Sequence, residues 1–128
     1  MNKEKLSPDK INIANKLNLF DDCWAPKIVA ELNDNFVKVA KLEGKFIWHQ
    51  HKDEDELFIV IDGILTMHFR DKSIRLSPGE MIVVPKGVEH KPEAADGVVP
   101  VLLVEPQSVL NTGDQKKSEF TREELDWI

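Results

Sequence analysis

Between residues 36 and 105 the chain alternates short apolar segments with turns rich in glycine, proline and aspartate, and this alternation constrains the fold most strongly. Asp62-Gly63 separates two of the segments and favours a hairpin, because both residues tolerate the positive φ of that turn. Many short strands joined in this way predict an all-β barrel or sandwich. The segments are rich in Val, Ile, Phe and Leu and cover residues 36–42, 46–51, 57–61, 64–69, 74–76, 81–84 and 98–104.

The two flanks of this region predict short helical segments. Asn12 is a suitable N-cap for a helix that lays an apolar stripe on the domain, made of Ile13, Leu17 and Phe20. The tail carries a capping-box pattern at residues 121–124, which predicts one last helical turn or two. We therefore expect a leader and short helix over 1–27, a barrel over 28–105, and a tail with a short helix over 106–128.

Length and charge narrow the classes of function. At 128 residues, 41% of them apolar and 31% charged, the chain is typical of one soluble globular domain. Its 17 basic residues are scattered among 23 acidic ones, with a net charge of −6, so we expect no nucleic-acid partner. No apolar run is long enough for a membrane span or a signal peptide. The single cysteine, Cys23, is typical of a reducing compartment, and the expected location is the cytoplasm.

Three histidines and a carboxylate stand where a barrel could bring them together. His49 and His51 lie two residues apart in a strand-like run, and strand residues at that spacing point to the same face. Glu56 opens the next strand, and His90 follows a Pro-Gly turn that could return the chain to the same barrel mouth. Such a ligand set suits one divalent ion of Fe, Mn, Ni, Co or Zn.

Each of these features has a simpler explanation when it is taken alone. A His-x-His pair is more often exposed, or satisfied in the core, than a metal ligand. The carboxylate could also be Asp55, but Glu56 is in phase with the apolar residues of its strand and is our choice. We interpret His68 as a surface residue, because it shares parity with polar neighbours. Cys23 is interpreted as a small half-buried hydrophobe rather than a reactive thiol.

Taken together, the motifs resemble those of the cupin superfamily. The first motif is Gly44-x4-His49-x-His51-x4-Glu56-x6-Gly63, and the second is Gly79-x5-Pro85-x-Gly87-x2-His90. The resemblance implies a double-stranded β-helix, or jelly-roll, barrel with a metal held by the four residues named above. Two departures occur: one residue fewer before His49 than is common, and Ala94 where an Asn often closes the second motif. Neither departure touches a ligand.

The flanks resemble those of small stand-alone bacterial cupins that are often described as mannose-6-phosphate-isomerase-like. Fold likeness does not carry function. Cupin chemistry includes oxygen-dependent cleavage, isomerisation and lyase reactions on small oxygenated molecules. The chain contains no Tyr and no spare His beyond His68, so a second proton carrier would be a carboxylate, a Lys or metal-bound water. The alternative is a binding or sensing module that uses the same pocket without turnover.

The predicted outer face of the barrel is strongly apolar. Leu57, Ile59 and Ile61 have the opposite parity to Glu56, and Trp48 is opposite to His49. Exposed apolar patches of this kind usually mark contact surfaces. The cover could be the N-terminal segment or a second copy of the chain, and we predict a homodimer.

Overall fold

A computed structural model describes residues 8–128, and the all-β class predicted from the sequence is confirmed. The elements are α1 (Ile13–Leu17), β1 (Lys27–Leu32), β2 (Asn35–Lys45), β3 (Glu56–Val60), β4 (Leu65–Phe69), β5 (Ser73–Leu76), β6 (Met81–Val84) and β7 (His90–Pro106). The seven strands form one antiparallel sheet with the path β1-β2-β7-β3-β6, while β4 pairs with β7 and β5. The hairpin predicted at Asp62-Gly63 is wrong, because β3 and β4, the strands on either side of it, do not pair with each other. No helix among the described residues is long and apolar enough to cross a membrane.

The long strand β7 organises the sheet because it pairs with three other strands. Its second half lies between β2 and β3, and its first four residues pair with β4. The predicted segments break near Gly44, between residues 42 and 46, and near Gly97, just before residue 98, but both glycines lie inside strands. The register of β2 on β7 shifts beside Gly44, opposite the stretch that contains Gly97. Both glycines have positive φ, at 73° and 108°, so the strands bend there without ending.

Two apolar clusters lie on opposite faces of the sheet. The inner cluster fills the space enclosed by the strands and includes Phe58, Val60, Leu65, Met67 and Val101. The outer cluster joins Leu17 of α1 to Val29 and Val39, with Phe20, Ile61 and Ile128 packed against it. Asn12 caps α1 as predicted, since its side chain accepts a hydrogen bond from the Asn15 amide (2.9 Å).

The predicted C-terminal helix is wrong, because the tail runs without helix from residue 107 to residue 128. Its last residues lie beside β1, where the Ile128 amide donates to the Ile28 carbonyl (3.0 Å) and the Ile28 amide to the Asp126 carbonyl (2.8 Å). Thr121, the expected cap, instead accepts a hydrogen bond from the Ser118 amide (3.1 Å). The backbone hydrogen bonds between the end of the tail and β1 thus override the helix preference of the capping-box pattern. Residues 1–7 of the predicted leader lie outside the described residues.

Candidate metal centre

The four residues predicted as metal ligands meet inside the sheet. One side-chain nitrogen or oxygen of each lies within 4.8 Å of those of the others. All four are buried, and His90 is fully so, with 0% exposure. Three imidazoles and one carboxylate converging in a buried space form a ligand set for a divalent transition metal. The set consists of His49, His51, Glu56 and His90.

The segment that carries His49 and His51 is extended, but it is not the regular strand predicted over residues 46–51. Its ladder is reduced to one bridge, in which His49 and His90 exchange backbone hydrogen bonds of 3.0 and 2.9 Å. The neighbouring backbone groups bond elsewhere: the His51 carbonyl accepts from the Gly87 amide (2.7 Å), and Gln50 pairs with the tail. The extended conformation still keeps both rings on one side, with centroids 5.1 Å apart.

Backbone carbonyls set the tautomers of two of the rings. Nδ1 of His49 lies 2.9 Å from the Ile47 carbonyl oxygen, and Nδ1 of His90 lies 2.9 Å from that of Val88. Because a carbonyl oxygen only accepts hydrogen bonds, each Nδ1 carries the hydrogen and each Nε2 keeps a free lone pair. Metal-binding histidines are commonly oriented in this way by the nitrogen that does not bind the ion.

Three buried atoms at the centre lack a hydrogen-bond partner among residues 8–128: Nε2 of His51, Oε1 of Glu56 and Nε2 of His90. The carboxylate oxygen lies only 2.7 Å from the first nitrogen and 3.3 Å from the second, yet neither contact has hydrogen-bond geometry. Buried polar atoms without partners are costly and uncommon. A cation between them would satisfy all three, so the residues present fit a metal ion.

The environment also favours the protonation states that metal binding needs. Burial, reinforced by the neighbouring His90, lowers the pKa of His49 to about 4, which keeps its ring neutral at pH 7. Burial opposes ionisation of Glu56, yet its contacts with Glu105, His51 and His90 hold its pKa well below the ordinary value. Neutral imidazoles and an ionised carboxylate are the forms that coordinate metals.

A second buried carboxylate, which the sequence analysis missed, lies beside the centre. Glu105 contacts Glu56, and its other neighbour is Lys38, whose Nζ is 2.6 Å from Oε1 of Glu105. Burial and then the charge of Glu56 raise the pKa of Glu105 well above its ordinary value, against the opposing effect of Lys38. One feature of the sequence indicated a buried charge in this region: Lys38 is in phase with the inward-facing Ala40 and Leu42 on the same strand.

A small cavity of about 40 Å³ opens beside the centre on the side of His49 and Glu56. Its walls are mostly apolar, and the polar side chains among them are few. Besides those two residues it is lined by Trp24, Pro26, Ala40, Leu42, Phe46, Phe58, Pro92, Leu103, Glu105 and Asn111.

The C-terminal tail closes the centre from one side. Gly113 passes so close to Gln50 that a Cβ at this position would collide with the Gln50 carbonyl and approach the His49 ring to 3.3 Å. The amide of Asp114 donates to the same carbonyl (2.9 Å), and its carboxylate accepts from the Gln50 amide (3.0 Å). Phe120 packs on Phe46, with ring centroids 5.0 Å apart. The tail is therefore part of the wall of the site.

The other candidates lie outside the cluster. Asp55 is exposed, and its carboxylate accepts a hydrogen bond from the Lys86 amide (2.8 Å). His68 is bound on the outer side by Ser73 and Glu93, both at 2.7 Å. Trp48 faces away from the cavity, with the Arg70 guanidinium 3.9 Å from its ring centre.

Cys23 is half-buried, as predicted, and burial raises the pKa of its thiol. A raised thiol pKa disfavours the reactive thiolate, which agrees with a packing role.

Comparisons with known proteins agree with this arrangement. The cupin domain family model matches residues 35–105, a stretch that contains all four predicted ligands. The protein YdbB of Bacillus subtilis (strain 168) is 41% identical over 64 residues, which are 49% of this chain and 57% of that relative. A cupin-2 domain containing protein from Shewanella frigidimarina has a TM-score of 0.74 and 48% identity, over 76% of this chain and 94% of its own. Protein NMB1881 from Neisseria meningitidis has a TM-score of 0.70 and 29% identity, over 77% of this chain and 100% of its own.

Proposed function

Because the chain belongs to the cupin domain family, we propose that it holds one divalent metal ion with the four clustered residues and uses that ion to bind a small oxygenated molecule. The observation that carries this proposal is the set of three buried, unpartnered atoms facing one another on His51, Glu56 and His90. Fe, Mn, Ni, Co and Zn all suit this mixture of imidazole and carboxylate ligands.

A bound divalent ion of this kind supplies polarisation of a ligand oxygen and acidification of a bound water. The chain contributes the surroundings. The tautomers of His49 and His90 are set by backbone carbonyls, most of the cavity wall is apolar, and the tail closes one side. These features serve a catalyst of the dioxygenase, isomerase or lyase type, and they serve a non-catalytic binding or sensing module equally well.

The presence of Glu105 affects which of these reaction types the site could support. The sequence identified no dedicated second proton carrier beside the ligands and left this role to a carboxylate, a Lys or metal-bound water. A buried carboxylate with a raised pKa now lines the cavity next to Glu56. Proton transfer by this group is compatible with isomerase and lyase reactions, so these stand beside oxygenase chemistry as candidates.

Metal analysis tests the proposal directly. We expect one divalent ion per chain in protein purified without chelator or nickel resin. His90→Ala should lose most of the metal and keep its β circular dichroism. His68→Ala, which removes a histidine outside the cluster, is the matched control and should keep the metal. Unchanged metal content in His90→Ala would refute the ligand assignment. Oxygen-uptake and sugar-isomerisation panels on the loaded protein then separate a catalyst from a binder.

We also propose a homodimer formed through the outer face of β3 and β6. The N-terminal segment covers part of this face, because Ile61 packs in the outer cluster with α1. Leu57 and Ile59 are only half-buried, and their pairing partners Val83 and Met81 are 52% and 61% exposed. Contiguous exposed apolar side chains favour a protein contact. Sedimentation should give a dimer that Val83→Lys weakens, whereas a native mass of 14.6 kDa at all micromolar concentrations would refute it.

A further inference from the structure

A row of buried charged side chains crosses the inner face of the sheet and ends at the metal centre. Lys38 on β2 and Glu105 on β7 are 1% and 2% exposed, and their charged atoms are 2.6 Å apart. The pairing of β3 with β7 joins Leu57 to Val104, so the same register, continued by one residue, sets Glu56 opposite Glu105. Like charges directly opposite each other destabilise a sheet, so this arrangement calls for a specific role.

One oxygen of this row has no partner. Oε1 of Glu105 accepts a hydrogen bond from Lys38, whereas Oε2 is buried and lacks a hydrogen-bond partner among residues 8–128. Glu56 contacts Glu105, but a carboxylate that holds a metal ion has no hydrogen to donate. Oε2 of Glu105 therefore receives no hydrogen bond from the described residues, and a group that enters from the cavity can supply one.

The other polar side chains that line the cavity are already engaged. Trp24 donates its indole N–H to the Glu43 carbonyl (2.8 Å). Asn111 uses both ends of its amide on backbone groups of the tail, at 2.8 and 2.9 Å. His49 donates through Nδ1 to a backbone carbonyl and directs Nε2 to the metal centre. None of these side chains donates a hydrogen bond to Oε2 of Glu105, so this oxygen can accept one from a molecule bound in the cavity.

We propose that Glu105, held in place by Lys38, determines ligand specificity by hydrogen bonding to a hydroxyl group of the bound molecule. This inference rests on the proposed function, in which a neighbouring oxygen of the same molecule binds the metal. A hydroxyl group both donates and accepts hydrogen bonds, so it suits Glu105 with or without a proton. The ligand class is therefore a small hydroxylated oxygen compound, such as a 2-hydroxy acid or a hydroxycarbonyl compound.

The size of the cavity limits the length of this ligand. The cavity of about 40 Å³ has room for roughly three water molecules, because one water needs about 10–15 Å³ of cavity volume. Glycolate and acetate are small enough to serve as probes. They share a carboxylate that can bind the metal and differ by the hydroxyl that Glu105 would recognise.

The experiment measures the affinity of cobalt-loaded protein for both probes from its visible absorption spectrum. The main variant is Lys38→Met/Glu105→Leu, because replacing a buried ion pair with apolar residues of similar volume is often tolerated. The matched control is Arg70→Met/Glu89→Leu, which removes an ion pair at the surface. A second variant, Glu105→Asp, is used in case the main variant fails to fold. It keeps the charge beside Lys38 and shortens the side chain by one methylene group, which withdraws the carboxylate from the cavity.

The preference for glycolate over acetate should fall by about tenfold in the main variant, the effect of one hydrogen bond to a charged group. It should fall in the same direction in Glu105→Asp and persist in the surface control. If the main variant retains cobalt and its preference for glycolate is unchanged, the inference about Glu105 is wrong, whereas the assignment of the metal site still stands. Loss of cobalt from both Glu105 variants would show that Glu105 acts by holding Glu56, and would also overturn the inference. Failure of the native protein to bind cobalt would refute the proposed function itself.

Discussion

Acid should destabilise the metal-free protein through His49, and the size of the effect follows from its burial. The His49 pKa falls from the ordinary value of 6.5 to about 4 in the folded protein, with burial as the main cause. Between these pH values the unfolded chain binds a proton at this residue and the folded chain does not. The contribution to stability is therefore fully present above pH 6.5 and is lost as the pH falls to 4. At about 1.4 kcal/mol for each pH unit, the loss is about 3 kcal/mol.

Urea unfolding in the presence of a chelator, followed by tryptophan fluorescence, measures this effect at several pH values from 7.5 to 4. The comparison is with His49→Gln, whose side chain is polar and does not titrate. The free energy of unfolding of the native protein should fall by about 3 kcal/mol more than that of the variant over this range. His68→Gln replaces a histidine outside the cluster and is the control. Its free energy of unfolding should change with pH as that of the native protein does. Parallel pH curves for the native protein and His49→Gln would show that the folded protein protonates this ring freely, and the burial argument would then be wrong.

Three further results should follow from the structure. Chelation should leave the β circular dichroism unchanged. It should lower the melting temperature without unfolding the protein, because the inner apolar cluster does not depend on the ion. Gly113→Ala should loosen the tail and speed its proteolysis, since its Cβ would collide with the Gln50 carbonyl at a φ of +56°. Lys38→Met should cost about 3 kcal/mol in urea unfolding at pH 8, more than Lys38→Met/Glu105→Leu, because the single change leaves a buried carboxylate without its cation.

The sequence was sufficient to predict the three candidate ligands His49, His51 and Glu56 from local patterns, whereas His90 joins them through a bridge to His49. In an extended chain two residues at i and i+2 point to one side, and this holds for His49 and His51 although the predicted strand is reduced to a single bridge. Glu56 was separated from Asp55 by its phase on the strand, and the structure buries the first and exposes the second. The bend at Asp62-Gly63 also follows from a local pattern, but the hairpin predicted there does not form, because β3 pairs with β6 and β7 and β4 pairs with β5 and β7.

The tail shows where a local signal fails. Its capping-box pattern predicted a helix, but the backbone near Ile128 pairs with β1 at Ile28, a partner 100 residues earlier in the chain. A capping motif contributes about 1 kcal/mol, so hydrogen bonds and burial against a distant strand can override it. No local pattern reports that such a partner is within reach.

Lys38 and Glu105 show what only the tertiary structure decided. They are 67 residues apart in the chain, and each looks in isolation like a charged residue on a strand. The antiparallel register of β2 on β7 and of β3 on β7 brings them together and sets Glu105 against Glu56. Register depends on which strands pair, and that choice is made by the burial of the whole inner face rather than by any single segment. The cluster of candidate ligands could therefore be predicted from motif spacing, whereas the position of Glu105 beside it depends on the assembled sheet.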